Sequence, residues 1–80
     1  MEHIGDNIRK IRVLLEIKQT VMAKMLNLSV NSYGKIERNE VKLKPERLAQ
    51  IAHILGVKST QIINFNAFLR KLKQDREWNN

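Results

Sequence analysis

Between Ser29 and Asn39 four residues recur at helical intervals: Asn31, Gly34, Lys35 and Arg38. On a helix the spacing i, i+3, i+4, i+7 sets them on one stripe. Their chemistry is hydrogen bonding rather than bond making. An Asn amide can pair with both N6 and N7 of adenine, and a Lys ammonium can reach O6 and N7 of guanine. A Gly lets a backbone come close. Arg38, at the end of the run, is better placed for a phosphate. A solvated helix face has the same look, and the spacing alone does not separate the two readings.

Something must hold that stripe outward. Tyr33 and Ile36 are three apart and should face a core. Ser29 is a good N-cap for the helix they share. Asn39 tolerates the left-handed conformation that stops one. Gly34 costs about 0.5–1 kcal/mol relative to Ala at mid-helix, which fits either a close backbone approach or tolerance on an exposed face. Just upstream, TVMAKML places Val21, Met22, Met25 and Leu26 on a helical stripe of two turns. Asn27 suits its C-terminal stop. Two short helices joined by Asn27-Leu28-Ser29 have the spacing of a helix-turn-helix. In that motif the second helix lies in the major groove of DNA.

The remaining segments also read as helices. Ile4, Ile8, Ile11, Leu14 and Leu15 predict one from about Ile4 to Ile17. EVKLK has no period and reads as a loop. Pro45 suits the first position of a helix carrying Leu48, Ile51, Ala52 and Leu55, which Gly56 ends. Ser59 would cap a short fifth helix with Ile62 and Ile63. Phe65, Phe68, Leu69 and Leu72 mark a sixth, reaching about Glu77 with a frayed end. The expected fold class is all-α.

Composition narrows the function. Eighty residues leave room for one modest core, since so small a chain buries only about 60% of its unfolded surface. Fifteen Lys plus Arg against eight Asp plus Glu give a formal charge of +7, which favours an anionic partner. There are no cysteines, and His3 and His53 are far apart in sequence, so neither a disulfide nor a metal site is expected. No apolar run approaches the roughly 18 residues of a membrane span. MEHIGDNIRK lacks the apolar core of a signal peptide, so the expected location is cytoplasmic. No catalytic constellation can be assembled, and neither an enzyme nor a cofactor is expected.

An ordered set of segments resembles a known family. IGDNIRKIR, then Gln19 to Ala23, then KIERN (Lys35 to Asn39), then LAQIAHILGV and STQIINF, resemble the phage-repressor type of helix-turn-helix domain, also called XRE or lambda-repressor-like. The resemblance runs from Ile4 to Phe65. It implies a compact five-helix DNA-binding domain over residues 1–65, with an additional C-terminal amphipathic helix and frayed tail over 66–80. It implies base contacts from Val30, Asn31, Ser32 and Lys35. It implies phosphate contacts from Gln19, Lys24, Arg38, Asn39 and Lys42, with Gln19 at the positive end of a helix dipole. Arg12 and Glu37 match an ion pair that ties the third helix to the first; losing one partner of a buried pair costs about 3–5 kcal/mol. Three departures stand out. Lys18 replaces a capping Ser or Thr, Asn39 replaces a Gly, and Gly34 stands where the family often has a side chain facing DNA.

The expected function is sequence-specific binding of double-stranded DNA by a small repressor-like transcriptional regulator, acting as a homodimer. The alternative is an antitoxin-like or other module whose main role is to bind a protein partner. The tail stripe can pack on its own domain or form a dimer contact through Phe68, Leu69 and Leu72. Its basic side (Arg70, Lys71, Lys73, Arg76) is too sparse for a membrane surface helix. Trp78 would pack on a partner or lie exposed.

Overall fold

A computed structural model describes residues 3–78, and side chains as far as residue 76. The expected frayed end at residues 79–80 and the side chain of Trp78 lie outside the described residues. Six helices follow one another, with no strand among the described residues: α1 (Ile4–Leu14), α2 (Gln19–Met25), α3 (Val30–Glu37), α4 (Pro45–Leu55), α5 (Ser59–Ile63) and α6 (Phe65–Trp78). The all-α class is the one found.

Most helix ends have a local cause. Ser29 caps α3, its Oγ accepting the Ser32 N–H at 3.0 Å. Pro45 opens α4, where its missing N–H does no harm. Asn27 and Asn39 take φ of 58° and 62°, and so stop α2 and α3. Gly56, at φ 72°, ends α4. Lys18 stands at the N-cap of α2 and gives it no side-chain cap.

The structure corrects three expectations. The first helix ends at Leu14, not Ile17, because Glu16 turns left-handed at φ 59°. Leu14 and Leu15 are consequently exposed, and the buried side of α1 passes from Ile8 and Ile11 to Arg12. In α2 only one of two adjacent stripes faces inward. Met22, Ala23 and Leu26 are buried, whereas Val21 and Met25 are exposed. Ser59 is the first residue of α5 rather than its cap. Lys58 is the extended residue before it, and its N–H donates to Gln61 Oε1 at 2.8 Å.

One core serves all six helices among the described residues. Ile8, Ile11, Met22, Tyr33, Ile51 and Ile62 are fully buried at its centre, with Ile36, Leu48, Leu55 and Phe68 around them. Apolar burial of this kind is the main favourable contribution to folding. The tail helix shares it. Phe68 is only 3% exposed and stacks on Phe65 with ring centroids 5.7 Å apart, while Leu72 packs against the edge. Lys10 of α1 lies 5.4 Å above the Phe65 ring, a cation–π contact that ties the two ends together. Asn7 adds a second tie, donating from Nδ2 to the Ile62 carbonyl at 2.7 Å.

Candidate nucleic-acid interface

Helix α3 is fixed by its inner side. Tyr33 and Ile36 enter the core, as expected, and Glu37 lies beside them at 3% exposure. A carboxylate so deeply buried needs partners. Arg12 supplies two, from Nε at 2.6 Å and Nη2 at 3.2 Å. The Tyr33 hydroxyl donates a third bond and Gln19 Nε2 a fourth at 3.0 Å. Arg12 also donates from Nη1 to the Ile17 carbonyl at 2.8 Å. One carboxylate thus joins α1, α2 and α3.

Burial alone would push the Glu37 carboxyl up. The hydrogen bonds from Arg12, Tyr33 and Gln19, together with the Arg12 charge, outweigh burial and hold it below the ordinary value. Burial, then the Glu37 hydrogen bond and charge, push the Tyr33 hydroxyl up. The hydrogen bond to Glu37 likewise raises Arg12, against the opposing effect of burial. All three groups keep the charge states that suit their bonds.

The outer side of α3 exposes Val30, Asn31, Ser32, Lys35 and Arg38. Ser32 is held near the helix start, its Oγ 3.0 Å from that of Ser29. Gly34 departs from expectation. It is buried rather than open, because the Arg38 side chain folds back over it. Arg38 Nε donates to Glu40 Oε2 at 2.6 Å.

The positions matched to phosphate contacts are dispersed around this face. Gln19 is half-buried and turns its amide N–H inward to Glu37. Asn39 and Lys42 are both exposed and border a groove floored by Gly5 and Ile36. Asn39 Oδ1 accepts the Gly5 N–H at 2.7 Å, so that oxygen is committed to α1. Lys42 also borders a second groove with Ser32, beside Arg47 and Gln50. Lys24 is exposed on α2 and shares no hydrogen bond with the α3 stripe among the described residues. Of the three tail residues, Phe68 is buried and Leu72 half-buried, while Leu69 is exposed. His3 and His53 are exposed.

Sequence reading missed two members of the Glu37 cluster. Tyr33 and Glu37 are four apart on a helix, so their contact had a signal in the spacing. Gln19 had none, because its bond to Glu37 depends on how α2 crosses α3.

These elements fit one motif. Helix α2, the turn at Asn27 and helix α3 occupy consecutive positions, with α3 buried on one side and polar on the other. A family model described as helix-turn-helix matches residues 8–62, more than half of the chain. The chain belongs to this XRE-type helix-turn-helix family. Two crystal structures of the clp gene regulator ClgR from Corynebacterium glutamicum are similar in fold. One is 22% identical with a TM-score of 0.74, covering 78% of this chain and 80% of its own. The other is 21% identical with a TM-score of 0.73, covering 99% and 92%. No curated protein matches in sequence. Membership of the helix-turn-helix family makes this a DNA-binding regulator type of protein and not an enzyme. None of the described helices is long and apolar enough to cross a membrane.

Proposed function

We propose that this helix-turn-helix protein is a sequence-specific, repressor-like regulator that lays α3 in the major groove of double-stranded DNA. One observation carries the reading. A helix locked on its inner side by Tyr33, Ile36 and Glu37 presents Asn31, Ser32 and Lys35 outward, free of any core role. Asn31 and Lys35 read base edges, with Val30 and Ser32 beside them. Lys24, Lys42, Asn39 and Gln19 position the protein on phosphates, and the net charge of +7 supports the approach. Gln19 exchanges part of its bond to Glu37 for this contact. The protein works as a homodimer on a palindrome whose half-sites lie about one DNA turn apart. Leu69 is the tail residue left exposed for the second copy.

The test is selection of bound sequences from random duplex DNA at about 150 mM salt, where non-specific affinity is suppressed. An enriched palindrome is the expected result. A folded protein that enriches no sequence would turn attention to a protein partner instead.

A further inference from the structure

The Arg38 side chain leaves the end of α3 and runs back over Gly34, the direction a helix gives a residue four positions on. Gly34 has no side chain of its own, yet it is buried. A Cβ added there would lie 2.9 Å from Arg38 Nη1, 3.8 Å from Cζ and 4.0 Å from Nη2. Nη1 of the guanidinium therefore lies where it would press on a side chain at position 34. That position is on the outer stripe of α3, between Asn31 and Lys35.

We propose that Arg38 reads a base edge, standing in for the side chain that Gly34 lacks, and that Glu40 positions it. This rests on the reading of α3 as the groove helix. Glu40 takes the Nε proton at 2.6 Å. The end-on pair, Nη1 and Nη2, makes no hydrogen bond among the described residues. Two parallel N–H donors of this kind match O6 and N7 of guanine. The pair with Glu40 is exposed, at 54% and 50% side-chain exposure, and such a bond is weak in water. Its effect is to restrict a flexible side chain before binding, and it strengthens as the groove excludes water. A phosphate role fits this placement less well, because the guanidinium runs back along the helix toward the stripe between Asn31 and Lys35.

The partner is thus a guanine in duplex DNA. The experiment is sequence selection with the full chain and with Arg38→Ala, Gly34→Ala and Glu40→Gln. Each variant's unfolding midpoint and the salt dependence of its binding are measured alongside. The unaltered chain should enrich a guanine at one position, with discrimination of about 5- to 150-fold. Arg38→Ala should lose that preference alone and keep the rest of the motif. Gly34→Ala should lose the same preference without a lower unfolding midpoint, because it favours the helix and displaces only the end of a flexible side chain. Glu40→Gln should weaken the same preference. The proposal is overturned if Arg38→Ala weakens all sequences alike and lowers the salt slope by about one, the signature of a phosphate contact. It is also overturned if Gly34→Ala leaves the guanine preference intact. Uniformly tighter binding by Glu40→Gln, with no change in motif, would make Glu40 a mere repulsive charge and remove its positioning role. If the unaltered chain enriches nothing, the groove reading itself fails, and this assignment with it.

Discussion

The hydroxyl of Tyr33 donates to the carboxylate of Glu37 one helical turn later, 2.5 Å away and wholly inside the protein. The bond is charge-assisted, and hydrogen bonds to charged groups contribute about 1.5–3 kcal/mol each. Tyr33→Phe keeps the ring in the core and removes only the hydroxyl. It should destabilise the fold by an amount in that range, read as a lower urea midpoint with an unchanged slope. A change of slope would mean that the compactness of the unfolded or folded state had changed, or that unfolding had ceased to be two-state.

Glu37→Ala should cost more, about 3–5 kcal/mol, because the Arg12 charge would be left half-enclosed without its partner. Replacing Arg12 and Glu37 together with apolar residues of similar size should cost less than either single change. A double-mutant cycle by denaturant unfolding measures the difference. Additive costs would show that the two side chains act independently.

The pH dependence has a definite sign. The Glu37 carboxyl sits below its ordinary value of 4.5 in the folded state, so its contribution is complete above that value. It is lost as the pH falls through the lower, folded-state pKa. Tyr33 is displaced upward from 10.0, so its contribution is complete below that value and fades in more alkaline solution. Unfolding free energy measured from acid to alkali should therefore decline at both ends. Glu37→Gln should flatten the acid limb. An acid limb of undiminished steepness in that variant would place its origin in other carboxylates.

On DNA, Asn31→Ala and Lys35→Ala should each relax preference at one base position and cost about 1–3 kcal/mol on the selected site. Lys24→Ala and Lys42→Ala should weaken all sequences alike and lower the salt slope by about one each. Binding curves on selected and random duplexes at several salt concentrations make the comparison. Equal behaviour of the two groups would remove the division between reading and positioning.

In the tail, Phe68→Ala should cost about 3–5 kcal/mol, as for other large buried aromatic residues. Leu69→Ala should stay within about 0.5 kcal/mol for the monomer, because its side chain is largely outside the core. Thermal unfolding of both variants separates a helix that belongs to the domain from one merely appended to it.

Which features were legible in the sequence follows from how local their causes are. The stops at Asn27, Asn39 and Gly56 are written in single residues with left-handed tolerance. The stop at Glu16 is not, since Glu carries no such preference, and the first helix reads three residues too long. Periodicity locates an apolar stripe but cannot choose between adjacent stripes on two turns, so Val21 and Met25 looked as buried as Met22 and Leu26. The outer stripe of α3 was plain from spacing, but its content was not. The sequence puts Arg38 four residues after Gly34, and only the fold shows the guanidinium lying in the gap. Arg12 and Glu37, 25 residues apart, were paired through a family resemblance, since no local rule connects them.

The contact between Gly5 and the end of α3 has a genetic consequence. A Cβ at Gly5 would run into the carbonyl oxygens of Ile36 and Glu37, both unyielding backbone. A missense allele at codon 5 would push the start of α1 away from α3 and disturb the tilt of the helix that carries Asn31 and Lys35. In a screen for lost regulation it would score beside alleles of the outer stripe, although Gly5 itself is buried. Suppressors of such an allele should fall in the segment around Asn39, whose side chain accepts the Gly5 N–H, rather than at any residue of the outer stripe.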